Sequence, residues 1–282
     1  MPVDRSLLIE FLQLYPFQPA TAWWRAIEVA HLLRHPLPAG LGLDVGCGDG
    51  LLTRLIAAHA VPAERTWIGL DADPAEAALA IATKFYKDVL ITPADRIDQP
   101  SQHFDFALSN SVLEHIPEID PVLHEVARVL KPGARFLLTV PSAHFHECLR
   151  GPSPLRRTLL RQDRSQYWNQ IDQRVAHRHY WTEEHWQQSL RAAGFGDVQF
   201  SSYFSAPEVQ RWETISNLTA GVLYELLGHR TPIEIQRSLG LRRSAAMPQW
   251  LGSLLAPVLS LRARPDTGHP RGGLMVVARR DA

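Results

Sequence analysis

The sequence predicts an α/β protein built on a mostly parallel sheet with helical insertions, and three observations predict it. Between residues 40 and 141, short apolar runs alternate with helical periods, the pattern of successive strand–helix–strand units. The first apolar run ends in a glycine-rich turn, LDVGCGDG at 43–50, before a helical pattern begins. A hydrophobic content of 45% over 282 residues supports a large core.

The elements follow in order. GLGLDV (40–45) reads as the first strand and LLTRLIAAHA as the helix after it. TWIGLD (66–71) is the second strand, followed by a helix with Asp73 as N-cap and Pro74 at the first helical position. DVLIT (88–92) and FDFALSN (104–110) are strands three and four. Asp120-Pro121 repeats the cap-plus-proline signature; Val122, Leu123, Val126, Val129 and Leu130 follow at helical spacing, and Lys131-Pro132-Gly133 ends that helix. RFLLTV (135–140) is strand five. Residues 142–180 are rich in arginine, histidine and aromatics and show no clear strand. Thr182 opens another helix, acidic in its first turn and closed by Gly194. DVQFSSYF (197–204) alternates as a strand. A helical region then carries Trp212, Ile215, Leu218, Val222 and Leu226 on one face, Thr231-Pro232 starts a further helix, and GGLMVVAR (272–279) is the last strand.

Composition narrows the function classes. Formal net charge is zero, which gives no general affinity for nucleic acid. Cys47 and Cys148 are too few and too distant for a disulfide framework, so a reducing cytoplasm is the expectation. Glu10 interrupts the N-terminal apolar run, unlike a secretory signal. The longest apolar candidate, WLGSLLAPVLSL at 250–261, is about half a membrane span and contains Gly252 and Pro257.

The glycine turn carries the chemistry. Gly46, Gly48 and Gly50 make GxGxG, whereas a dinucleotide fingerprint needs a small residue where Leu51 stands. Asp44 precedes the glycines, and a carboxylate there repels a pyrophosphate and attracts a cation. Asp71 ends the second strand, where a carboxylate can accept both hydroxyls of a ribose. These features fit a cationic nucleoside without phosphates better than a dinucleotide.

LDVGCGDG, IGLDADP, FDFALSNSVLEHI and RVLKPGARFLLTVPS, in that order and spacing, resemble the class I S-adenosylmethionine-dependent methyltransferases of small molecules. The match covers 40–141 well and extends loosely through 182–204 and 272–279. It implies a Rossmann-like seven-stranded sheet whose last strand is antiparallel and inserted beside the fifth. It also implies a domain plan: an N-terminal helical cover (1–39), a cofactor-binding core (40–141, completed by 182–204 and 272–282), and insertions 142–181 and 205–271 that converge as a lid over the methyl group. For the cofactor, S-adenosyl-L-methionine with S-adenosyl-L-homocysteine as product, the resemblance places Asp44, Gly46, Cys47, Gly48 and Gly50 against the methionine part. Asp71 is placed on the ribose, Ala72 and Asp95 beside the adenine, and Asn110 and Ser111 near the transferable methyl. The Asp-Ala pair that the family often has after strand three is displaced here to Pro93-Ala94-Asp95.

The acceptor reading rests on the insertions. Seven arginines lie between residues 150 and 178 (150, 156, 157, 161, 164, 174 and 178), opposed only by Asp163 and Asp172. Such guanidinium forks suit phosphate or carboxylate, so an anionic acceptor is expected, against the alternative of a solvated arginine-rich surface. HRHYW (177–181) supplies His177 and His179 as candidate bases for a hydroxyl acceptor. His115, His144, Arg174, Arg178 and Tyr180 are candidate acceptor contacts. No compact carboxylate cluster for a metal is visible in the insertions, so metal-assisted transfer has no support there, and no nucleic-acid partner is expected. The function expected is O-methylation of a small molecule, a glycan precursor or natural-product intermediate. The alternatives are N- or C-methylation, or a non-catalytic cofactor-binding protein acting through its insertions on a partner.

Overall fold

The structure is a computed structural model that describes residues 5–15, 18–153, 157–158, 161–226, 268 and 270–282. Its elements are α1 (Arg5–Leu14), α2 (Pro19–Leu32), β1 (Gly40–Val45), α3 (Leu51–His59), β2 (Arg65–Asp71), α4 (Pro74–Ala82), β3 (Asp88–Ile91) and β4 (Phe104–Asn110). A 3₁₀ turn (Leu113–His115) leads to α5 (Ile119–Val129), β5 (Leu130–Pro141), α6 (Phe145–Cys148), α7 (Arg164–Val175), α8 (Glu183–Ala192), β6 (Phe195–Ser205), α9 (Ala206–Leu218), α10 (Ala220–Leu226) and β7 (Arg271–Arg280). The seven strands form one sheet in the order β3-β2-β1-β4-β5-β7-β6. β1 pairs in parallel with β2 and β4, and β7 runs antiparallel to β5. Strand order reverses at β1, so a crevice opens between β1 and β4 at the carboxyl edge.

The described residues fall into two compact units. One comprises those of His31–Ser142, Trp181–Ser202 and Gly273–Ala282, and contains nearly all of the sheet. Its core joins Leu43 and Val45 of β1, Phe104 and Ala107 of β4, Phe136 and Leu138 of β5 and Val276 of β7 to the inward faces of α5 and α8. α5 contributes Ile119, Val122, Leu123, Val126, Ala127 and Val129, each large aliphatic side chain contributing about 1.5–3 kcal/mol by burial. The helix begins one residue before the Asp120-Pro121 signature, with Glu118 as N-cap and no side-chain cap bond. It also stops earlier than expected. Leu130 already pairs with Phe104, and the ladder resumes only at Phe106–Arg135, so Lys131-Pro132-Gly133 is a bulge within β5 rather than a helix end.

The other unit comprises the described residues of Met1–Ala30, Ala143–Tyr180 and Tyr203–Gly272. Trp24 lies at its centre, with ring centroids 4.6 Å from Phe204, 5.3 Å from Trp212 and 5.6 Å from Phe145. α7 begins in a capping box between Asp163 and Gln166, a local signal that the irregular composition of this stretch conceals. The helical region after β6 breaks at Thr219, and its buried face is Val209, Trp212, Glu213 and Ser216. Leu218, Val222 and Leu226, expected on one apolar face with Trp212, are exposed.

The reason is polar. Glu213 is buried and accepts hydrogen bonds from the Arg150 and Gly151 backbone N–H groups and from Tyr167 Oη. Asn217 Nδ2 donates to the same Tyr167 oxygen, and Arg174 Nη1 donates to Asn217 Oδ1. Replacing Glu213 with alanine strands three donors and is expected to cost about 3 kcal/mol, seen as a lower urea midpoint; an unchanged midpoint would show that this network does not hold the unit together. Among the described residues no helix is long and apolar enough to cross a membrane. The expected helix at 231–232, the apolar stretch 250–261 and most of the second insertion lie outside the described residues.

Candidate active site

The glycine turn closes against β2, and most of its backbone donors are engaged within the protein. Gly46 N and Cys47 N both donate to Leu70 O, at 2.8 and 2.9 Å. Gly48 N donates to Asp71 Oδ2 at 2.8 Å, and Leu51 N to Asp49 Oδ1 at 3.2 Å. A phosphate-binding turn presents such N–H groups to its ligand; this one has spent them on the protein. Gly46, with φ of +77°, leaves no room for a side chain, because a Cβ would sit 2.4 Å from Val112 Cγ1. That close approach joins the loop after β1 to the loop after β4. Gly48, by contrast, has φ of +53° and would carry a Cβ that meets no described atom within 4 Å.

Asp44 lies buried below this turn. Tyr86 Oη donates to its Oδ2 at 2.5 Å. Burial pushes the carboxyl up to about 6, against the opposing effect of hydrogen bonds from Tyr86 and Thr53 and with a further upward push from Asp71. Burial and the adjacent Asp44 likewise push the Tyr86 phenol far above its ordinary range. Burial, with Asp44 and Asp71 beside it, pushes the Cys47 thiol up and away from the thiolate form. Asp71 is half-buried, with Oδ1 accepting from Asp73 N at 2.9 Å; Asp73 in turn caps α4 by accepting from Ala75 N.

The rest of the carboxyl edge follows. Asn110 and Ser111 are buried at the end of β4. Ser111 has φ of +51°, held there by two hydrogen bonds from its N–H to Thr139. A non-glycine residue in that region is a strain worth noting at a site. His115 is exposed in the 3₁₀ turn beyond, Ala72 is exposed after β2, and Asp95 is exposed in the Pro93–Arg96 turn after β3.

In the other unit, the structure brings His177 and Tyr180 together. His177 Nδ1 lies 3.1 Å from Tyr180 Oη, and Tyr180 Oη lies 2.5 Å from Asp172 Oδ1. His146 Nε2 is 2.9 Å from the same carboxylate oxygen, and its ring stacks on Trp168. His179 is half-buried two residues on. Arg174 is buried and engaged with Asn217, while Arg178 and His144 are exposed, the latter 3.2 Å from Glu147.

A family model described as "Methyltransferase domain" matches residues 26–199, more than half of the chain. The chain belongs to that family. Its fold is that of the class I S-adenosylmethionine-dependent methyltransferases. This methyltransferase domain is 31% identical over 142 residues to a ubiquinone biosynthesis O-methyltransferase of Chelativorans, covering 46% of the chain and 54% of that protein. It is 32% identical over 122 residues to a demethylmenaquinone methyltransferase of Symbiobacterium thermophilum, covering 41% and 48%. The chain thus spans about half the length of the curated relatives it matches. The crystal structure of the [4+2]-cyclase SpnF superposes with a TM-score of 0.55 at 18% identity over 90% of this chain and 80% of that one; at that identity the likeness is one of fold alone.

The turn fits S-adenosylmethionine on its own chemistry. The domain has engaged N–H groups where a phosphate would need them, an open face at Gly48, and a buried carboxylate suited to a cation. Tyr86 was not foreseen from the sequence, because nothing in TKFYKD marks a residue that reaches an aspartate 42 positions earlier. Asp172 was also missed as a partner of the HRHY stretch; the capping box that starts α7 is the local signal that would have placed it on a helix.

Proposed function

We propose that this methyltransferase domain O-methylates a hydroxyl of a small-molecule acceptor, with S-adenosylmethionine as donor. The observation that carries the cofactor part of the reading is Asp44, a buried carboxylate beneath the glycine turn. On this reading Asp44 and the Gly46–Gly50 turn hold the methionine end, Asp71 takes the ribose hydroxyls, and Ala72 and Asp95 flank the adenine. Asn110 and Ser111 would lie nearest the reacting group. When bound, the cofactor supplies an electrophilic methyl group on a cationic sulfur. The protein's part is to align the acceptor, exclude water and remove the hydroxyl proton. His177 supports the oxygen-directed reading, as does the O-methyltransferase named above among the relatives.

A phenolic hydroxyl on a natural-product-type intermediate is the first choice of acceptor, because the curated relatives carry names from quinone pathways. No structural observation favours a glycan precursor. An anionic group on the acceptor is supported by the arginines of 150–178, although Arg174 is engaged internally. The test is transfer of labelled methyl from S-adenosylmethionine to 3,4-dihydroxybenzoate, to its neutral methyl ester and to a sugar nucleotide. Label on a phenolic oxygen, with the acid preferred at low salt, is expected. Cofactor binding without transfer to any of the three hydroxyl acceptors would overturn the oxygen-directed reading. Equal turnover of acid and ester at every salt concentration would remove the anionic acceptor.

A further inference from the structure

Hydrogen-bond bookkeeping at His177 assigns a proton. A phenol has one O–H, and a carboxylate only accepts. Tyr180 Oη lies 2.5 Å from Asp172 Oδ1, so its hydrogen points there. His146 Nε2, at 2.9 Å from the same oxygen, donates as well. Tyr180 then has only lone pairs to offer His177 Nδ1 at 3.1 Å, and Nδ1 must carry a hydrogen.

We infer that Tyr180 and Asp172 are positioning residues that fix a hydrogen on His177 Nδ1, so that a proton taken from the acceptor enters at Nε2. The base role rests on the oxygen-directed reading above, whereas the tautomer does not. When Nε2 accepts the hydroxyl proton, His177 becomes an imidazolium, and Asp172 stabilises that charge through Tyr180. The logic is that of any catalytic histidine whose far nitrogen is oriented by a third group.

The surroundings are built to keep this geometry. Asp172 lies on α7, and its backbone carbonyl accepts from Ala176 N and from His177 N at 3.1 Å. Ala176 closes the helix with φ of +59°, a left-handed conformation unusual for a residue with a Cβ. That turn brings 177–180 back over Asp172. Phe145 stacks on Tyr180 at 5.8 Å and meets the His177 ring edge-on at 5.9 Å, and Trp24 meets it edge-on at 6.3 Å. His146 is fixed from the other side by Trp168, parallel to within 5°.

The decisive measurement is the ¹⁵N spectrum of histidine-labelled protein at pH 8.5, with His177→Gln to assign the His177 signals. Wild type is expected to show His177 with its proton on Nδ1. Tyr180→Phe removes the acceptor, and Asp172→Ala frees the tyrosine hydrogen to donate to Nδ1. Both are expected to move His177 toward the Nε2–H form that free imidazoles prefer. Asp172→Asn retains an acceptor oxygen for Tyr180 and is expected to keep the wild-type pattern. Wild-type His177 protonated on Nε2, or an Nδ1–H signal unchanged in both Tyr180→Phe and Asp172→Ala, would overturn the inference. In turnover of 3,4-dihydroxybenzoate, Tyr180→Phe is expected to lower kcat on the order of 10- to 100-fold, less than loss of the base itself, with KM for S-adenosylmethionine unchanged. If no hydroxyl acceptor is turned over at all, the functional reading fails while the spectrum still decides the tautomer.

Discussion

Replacing Asp44 with asparagine is expected to weaken S-adenosylmethionine binding by about 30- to 1,000-fold, the consequence of losing one partner of a buried charge pair at about 2–4 kcal/mol. The substitution keeps the shape of the side chain and an oxygen for Tyr86, so the fold should survive and calorimetry can read the loss directly. The pH dependence gives the same residue a second, independent signature. Its carboxyl stands at about 6 in the folded chain against an ordinary 3.8. A cationic ligand needs the ionised form, so wild-type affinity should hold above pH 6 and fall about tenfold per unit below it. The asparagine variant should be flat across that window.

Stability runs the other way. Because the folded-state value is raised, the folded protein binds more protons than the unfolded chain between the two values. The contribution of Asp44 is fully present below 3.8 and is lost as pH rises through about 6, on the order of 3 kcal/mol in all. Without ligand, the asparagine variant should therefore be less sensitive to pH over this range than wild type. Equal affinity of the two proteins at pH 7.5 would detach Asp44 from cofactor binding.

His177→Gln is expected to lower turnover of a hydroxyl acceptor by about 10²–10⁴-fold, the usual contribution of a positioned general base, while leaving S-adenosylmethionine affinity within twofold. Glutamine can still donate toward Tyr180 but cannot take up a proton. His179→Gln, whose ring is half-buried outside the Asp172–Tyr180 pairing described above, is expected to cost far less. A loss on His179→Gln equal to that on His177→Gln would leave the base unassigned, and no loss on either would remove histidine from the chemistry.

Much of the unit that carries the sheet was legible from residues alone because its signals are local. β1 and β4 run over the same residues that the apolar runs predict, Asp73 caps α4 with Pro74 at its first position, and Thr182 caps α8. Strand periodicity, cap chemistry and proline geometry act over fewer than about ten residues, and each is written in the neighbours of the residue concerned. The glycine spacing and the aspartate before it narrowed the ligand for the same reason: a turn's φ angles and its nearest charge are local properties.

What needed the folded chain was every pairing between side chains far apart in sequence. Tyr86 reaching Asp44, Val112 filling the space that Gly46 leaves, and Glu213 gathering Arg150, Gly151 and Tyr167 carry no periodicity and no motif. The buried face of α9 shows the limit most plainly, since Glu213 turns inward while Leu218 stays exposed. Hydropathy ranks those two residues the other way, because it assigns a carboxylate its cost in isolation. Three convergent donors reverse that cost, and their convergence exists only once segments some sixty residues apart have been brought together.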